Sequence, residues 1–111
     1  MKLILKNLLC SVCLAVAPIA FSADVTDWPR HRGDSSLKGF SSQKLGKALK
    51  LDWVFDAGDF LKSSVVVSGG IAYVGGDTGI IHALDIKSGK EKWKYKTSLG
   101  IEAPPMVHEG K

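Results

Sequence analysis

A chain of 111 residues with 15 basic and 11 acidic side chains is long enough for one small domain and no more. Its formal charge of +4 is too weak to argue for nucleic acid as a partner. The hydrophobic fraction of 45% overstates the core, because much of it lies near the N-terminus.

That N-terminal stretch reads as an export signal. Lys2 and Lys6 make a positive n-region, and Leu8 to Ala20 is an apolar stretch too short to span a bilayer. Ala20 and Ser22 supply small residues at the −3 and −1 positions, which predicts a signal peptide over residues 1–22 and a periplasmic or secreted product. An uncleaved anchor is the alternative. A lipid anchor fits poorly, since Cys10 follows Leu8-Leu9 and Cys13 follows Ser11-Val12. Both cysteines leave with the signal, so the mature chain has neither a disulfide nor a thiolate metal site. Taking Lys2 and Lys6 from the 15 basic residues leaves 13 against 11 acidic ones, a net charge of +2.

Residues 23–50 are polar, without a period of 2 or 3.6, and read as an extended lead-in. Its two fixed points are Trp28-Pro29-Arg30-His31-Arg32-Gly33 and Lys38-Gly39-Phe40. Proline at position 29 forces Trp28 into extended geometry. From Leu51 the pattern is strand-like. Leu51, Trp53 and Phe55 share one face of a predicted strand that ends before Gly58. Ser64 to Ser68, with three consecutive valines, is a second, suited to burial on both faces. Gly69-Gly70 turns the chain into Ile71 to Val74. Gly75-Gly76-Asp77-Thr78-Gly79 is a hairpin connection leading to Ile80 to Leu84. Asp85 to Lys90 is another turn, and Glu91 to Lys96 closes the set. That last strand alternates, with Lys92, Lys94 and Lys96 on one face and Trp93 and Tyr95 on the other. The lysines mark an outer strand guarded against edge-to-edge pairing; a basic binding patch is the alternative.

Four short strands in sequence predict an antiparallel meander, and after it the pattern restarts. Trp53 recurs as Trp93, Val67 as Val107 and Gly70 as Gly110, all at one constant interval. This is a repeat architecture, in which each unit needs neighbours to complete its core. The second repeat stops before its second strand. The expectation is therefore an N-terminal piece of a longer protein or the product of a broken reading frame. On its own it is expected to lack a cooperative thermal transition.

The stretch Ala83-x-Asp85-x-x-Ser88-Gly89-x-x-x-Trp93 resembles the tryptophan-docking motif of quinoprotein-like β-propellers, the PQQ-like repeat. Serine stands at position 88 where that repeat usually has threonine. The flanking Ser63 to Gly76 and Thr78 to Asp85 are also similar to the family, and the resemblance covers residues 51–111. Trp28 to Gly33, followed by Gly39, resembles the start of exported members. The resemblance implies an all-β fold: one four-stranded propeller blade plus the start of the next, in an incomplete propeller behind an N-terminal signal helix. It implies structural roles for the motif. A small Ala83 lets an indole lie against the strand, Asp85 and Ser88 bond turn amides, Gly89 adopts a left-handed conformation, and Trp93 docks between blades. The family's indole N–H finds its partner in the next blade's turn, so Trp93 is expected to be half exposed here.

Two functions are compatible with that resemblance. One is an exported, non-catalytic binding or assembly scaffold, as in the outer-membrane assembly lipoprotein that carries this repeat. Its partners are the remaining blades and proteins of the cell envelope, with no nucleic acid and no membrane span. The other is the N-terminal part of a dehydrogenase holding pyrroloquinoline quinone and calcium. A non-functional fragment is a third possibility. No catalytic or metal-binding residue is assigned. Asp77 and Glu102 fall in loops whose spacing assembles no calcium site. His82 sits mid-strand and reads as a packed residue rather than a ligand. His31 between Arg30 and Arg32 reads as a solvated anchoring loop, with an anion site as the alternative; His108 supports no role. Gly75 to Gly79 lacks the lysine and helix of a phosphate loop.

Overall fold

The computed structural model describes residues 27–111, so the expected signal peptide lies outside the described residues. The described residues are all-β. Four strands, β1 (Val66–Ser68), β2 (Ile71–Gly75), β3 (Ile80–Asp85) and β4 (Glu91–Lys96), form one sheet in the order β1-β2-β3-β4. Every neighbouring pair is antiparallel, giving the meander of a propeller blade. Gly69 and Gly70, at φ of 58° and 76°, supply the two consecutive left-handed positions that a two-residue hairpin turn between β1 and β2 requires. Residues that carry a Cβ reach this region only at a cost.

Register fixes what each face carries. Val66 pairs with Tyr73, Tyr73 with Ala83 and Ala83 with Trp93, so these four line one face. Val74, His82 and Lys94 form a row on the opposite face. The buried apolar residues are Val66, Ala72, Val74, Ala83 and Leu84, small or branched side chains that let covering segments approach closely. The segment around Phe55 covers the His82 face, where the Phe55 ring meets the His82 ring edge-on at 5.2 Å. The Ser63 hydroxyl donates to the Gly75 carbonyl and accepts from the Gly75 amide, both at 2.9 Å. Residues 97–107 fold against the opposite face. They are pinned by Thr97 N donating to Gly79 O (2.7 Å) and Ile101 N to Gly76 O (3.0 Å).

Three expectations change. Leu51 to Asp56 is not a strand: Trp53 and Phe55 turn inward, but Leu51 is 76% exposed and no chain among the described residues lies alongside to supply a ladder. The valine strand begins at Val66, and Val65 is about half exposed, because its inner edge is only partly covered. The alternation of β4 is broken by a bulge opposite Ala83 and Leu84. Trp93 opposes Ala83 and Glu91 opposes Leu84, so Lys92 is the extra residue and swings to within 3.7 Å of Asp85. β4 is the outer edge strand and exposed throughout.

The lead-in holds the inner edge. Trp28 pairs with Val67, its amide donating to the Val67 carbonyl at 2.7 Å and its carbonyl accepting from the Val67 amide at 2.9 Å. The Asp27 carboxylate accepts from Gly69 N at 3.0 Å and closes the β1–β2 turn. Val107 N donates to Pro29 O at 2.8 Å, tying the lead-in to the second repeat.

Candidate functional site

The turn between β3 and β4 brings Asp85, Ser88 and Gly89 together. Asp85 Oδ1 accepts from the amides of Lys87 (3.2 Å) and Ser88 (3.0 Å) and from the Ser88 hydroxyl (3.0 Å). The Ser88 hydroxyl oxygen accepts in turn from Lys90 N at 3.4 Å. Aspartate suits the position because its short side chain reaches amides two and three residues on. These bonds, the Ser88 amide foremost, hold the Asp85 carboxyl below its ordinary value. Gly89 N donates to Asp85 O at 2.8 Å, and Gly89 adopts φ of 68°.

An indole lies on this turn, and it belongs to Trp53. Its Nε1–H donates to the Ile86 carbonyl at 2.9 Å. The ring covers Gly89 so closely that a Cβ there would stand 2.5 Å from it. Glycine is therefore required twice over, by the positive φ and by the approach of the ring. The sequence tied Trp93 to this motif without assigning Trp53 to the turn. The available signal was the constant repeat interval, which makes the two tryptophans equivalent.

Trp93 stands across the sheet from the fully buried Ala83, with Tyr73 next in the row and its ring 5.8 Å away. It is 46% exposed. Beside it, Tyr73, Ile81, Pro105, Met106 and Gly110 line an apolar hollow of about 320 Å³. Of the five motif residues, Asp85, Ser88 and Gly89 form the turn under Trp53, while Ala83 and Trp93 belong to the other face.

The remaining candidates fall in separate places. His82 is buried, its Nδ1 2.7 Å from Glu91 Oε1 and its Nε2 without a partner among the described residues. The sequence missed Glu91 as its companion because the bulge sets that contact. Asp77 and Glu102 both meet Lys62, at 2.8 and 3.4 Å. Lys62 and Glu102 occupy equivalent repeat positions, and the Asp77 hydrogen bond first of all raises the lysine's pKa. Asp59 caps the Gly75–Gly79 hairpin through the Thr78 hydroxyl (2.7 Å) and amide (3.0 Å), and these bonds lower its pKa. His31 and His108 are exposed, with His108 beside Glu109.

Most described carboxylates accept hydrogen bonds within the chain, whereas Asp52 and Glu109 have only exposed neighbours, Lys50 at 3.7 Å and His108 at 3.8 Å. No three His, Cys, Asp or Glu side chains gather among the described residues as a metal cluster. No described helix is long and apolar enough to cross a membrane. The arrangement offers structural fastening: a glycine platform, a carbonyl acceptor and a carboxylate-braced turn.

No family profile matches the chain. Curated relatives do. A 1-butanol dehydrogenase (cytochrome c) of Thauera butanivorans is 30% identical over 99% of this chain and 18% of its own length. A quinoprotein ethanol dehydrogenase of Pseudomonas aeruginosa is 40% identical over 40% of the chain and 7% of its own. A lupanine 17-hydroxylase (cytochrome c) of a Pseudomonas species is 41% identical over 55% of the chain and 9% of its own. The chain spans less than a fifth of the length of each. With the blade-like meander and the braced turn, these similarities make the chain a member of the quinoprotein-type, PQQ-like β-propeller repeat family.

Proposed function

We propose that this chain is one blade, with the start of the next, of an exported quinoprotein dehydrogenase acting on an alcohol, and that the blade's own work is structural. The names of the relatives, dehydrogenases and a hydroxylase, support the enzyme over the free-standing scaffold that the sequence alone put first. Export rests on the n-region lysines and the apolar stretch behind them.

The observation that carries the structural role is Trp53 seated on the Gly89 turn. It supports a fastening role for the motif, in which each repeat's tryptophan locks onto the following repeat's turn. Burying an indole face and satisfying its N–H stabilises such a contact by area and by hydrogen bonding together. On this reading Trp93 docks on the corresponding turn of a following blade.

Pyrroloquinoline quinone supplies the redox chemistry in an enzyme of this kind when it is bound. The residues described here do not fit its calcium: no three His, Cys, Asp or Glu side chains gather among them, and Asp59, Asp77 and Asp85 accept from donors within the chain. No catalytic step is assigned to them.

Two measurements test the proposal. The chain supplied with pyrroloquinoline quinone, calcium and an alcohol is expected to reduce no dye; turnover would overturn the structural assignment. Reading the gene onward from Lys111 separates the enzyme from the scaffold. A vicinal cysteine pair with an inward set of Glu, Asn and Asp supports the dehydrogenase. Further repeats without them support the scaffold.

A further inference from the structure

The lead-in turn carries a charge pattern that neither the blade nor the docking motif uses. Between it and the residues just before β1 lies an open hollow of about 450 Å³. Trp28, His31, Arg32, Lys38, Ser64 and Val65 line it. Its ionisable wall is wholly basic. Among the described residues, Arg32 and Lys38 have no ion-pair partner and the His31 ring has no hydrogen-bond partner. The two nearby carboxylates are turned to other work. Asp34 Oδ1 accepts from the Ser36 amide and hydroxyl at 2.9 and 2.7 Å, and Asp27 caps Gly69 and Ser68. Asp34 feels the charge of Lys38, yet lines a different hollow.

The backbone fixes the loop that carries these cations. Arg32 adopts φ of 59°, and its carbonyl accepts from Gly39 N at 3.1 Å, which fixes the loop from Arg32 to Gly39. That bond brings Lys38 back beside Arg32. Trp28 is anchored to Val67 by two backbone hydrogen bonds, so the aromatic wall is part of the sheet edge.

We propose that this hollow is a binding site for a phosphoryl oxyanion. An arginine fork, a lysine ammonium, an imidazole and the Ser64 hydroxyl offer donors from separate parts of the loop and sheet. A tetrahedral anion with three free oxygens can use them together, whereas a planar carboxylate presents two. Phosphate fills a small part of the volume, and Trp28 and Val65 leave an apolar wall for an organic group attached to it. The shared chemistry is the phosphoryl group, free or as a monoester. The site is independent of the propeller's redox function.

The test is calorimetric titration of the full chain with inorganic phosphate, phenyl phosphate and benzoate at constant ionic strength. Saturable binding of either phosphate is expected, weakened about tenfold or more in the Arg32→Gln/Lys38→Gln variant. Lys87→Gln, on the β3–β4 turn and outside the lining of the hollow, is expected to leave it unchanged. Tighter binding of phenyl phosphate assigns an organic phosphate; equal binding assigns the free ion. The proposal is overturned by any of three results: no saturation, benzoate binding more tightly than both phosphates, or equal weakening by Lys87→Gln. Both substituted side chains are exposed, and an unchanged circular dichroism spectrum separates lost binding from lost fold.

Discussion

Trp53 and Trp93 hold equivalent positions in successive repeats, yet they live in different surroundings. Trp53 has its indole N–H satisfied by Ile86 and its ring on Gly89. Trp93 keeps 46% of its surface exposed and touches Tyr73 within its own sheet. The chemistry of the two side chains is the same. What differs is that the described residues hold a turn for the first ring to cover and none for the second. A fastener of this kind has value only when both halves are present, which is why stability in a repeat array is shared between neighbours.

The largest expected effect is at the filled contact. Trp53→Ala removes a half-buried ring and one hydrogen bond, and is expected to lower the local stability of β3 and β4 by about 3 kcal/mol, read by amide hydrogen exchange. Gly89→Ala follows, at about 1–3 kcal/mol, since its methyl group meets the Trp53 ring at a positive φ. Blue-shifted Trp53 emission kept intact in Gly89→Ala would show that the platform tolerates a side chain and break the contrast.

Acid should act on the same turn. Asp85 has a folded pKa below its ordinary 3.8, so its stabilising contribution is present above that value and is lost as pH falls through the folded pKa. The Ser88 amide resonance is expected to move over that range, and Asp85→Asn to abolish the movement. A resonance that ignores acid would remove the carboxylate from the brace. Lys62 gives the opposite sign: its pKa is raised, so its contribution persists below the ordinary 10.5 and is lost as pH climbs through the folded value.

The smallest effect is at the open contact. Trp93→Ala is expected to cost the sheet less than about 1 kcal/mol by the same exchange measurement. Equal losses from Trp53→Ala and Trp93→Ala would mean that covering a turn contributes nothing beyond packing against the sheet itself.

Much of the blade was legible beforehand. Strand positions, their order and the turns followed from alternation and paired glycines, because period 2 and positive φ are local requirements. Residues such as Gly89 and Asp85 could be given roles for the same reason. The candidate site was only half legible. The His82–Glu91 pair depends on a bulge that shifts β4 by one residue, and no alternation pattern encodes where a bulge falls. The failed strand at Leu51 to Asp56 has a related cause: its pattern is strand-like, but a strand is a pairing, and its partner is a matter of assembly.

The sequence by itself determined the meander, the braced turn and the equivalence of two tryptophans, since these rest on local backbone preference and on period. Only the tertiary structure decided that Trp53 covers the Gly89 turn, that Trp28 closes the inner edge on Val67, and that Arg32 and Lys38 face one hollow. A period states which residues are alike; adjacency in space is set by chain reversal and burial, which place one of two equivalent rings on a turn and leave the other half exposed against its own sheet.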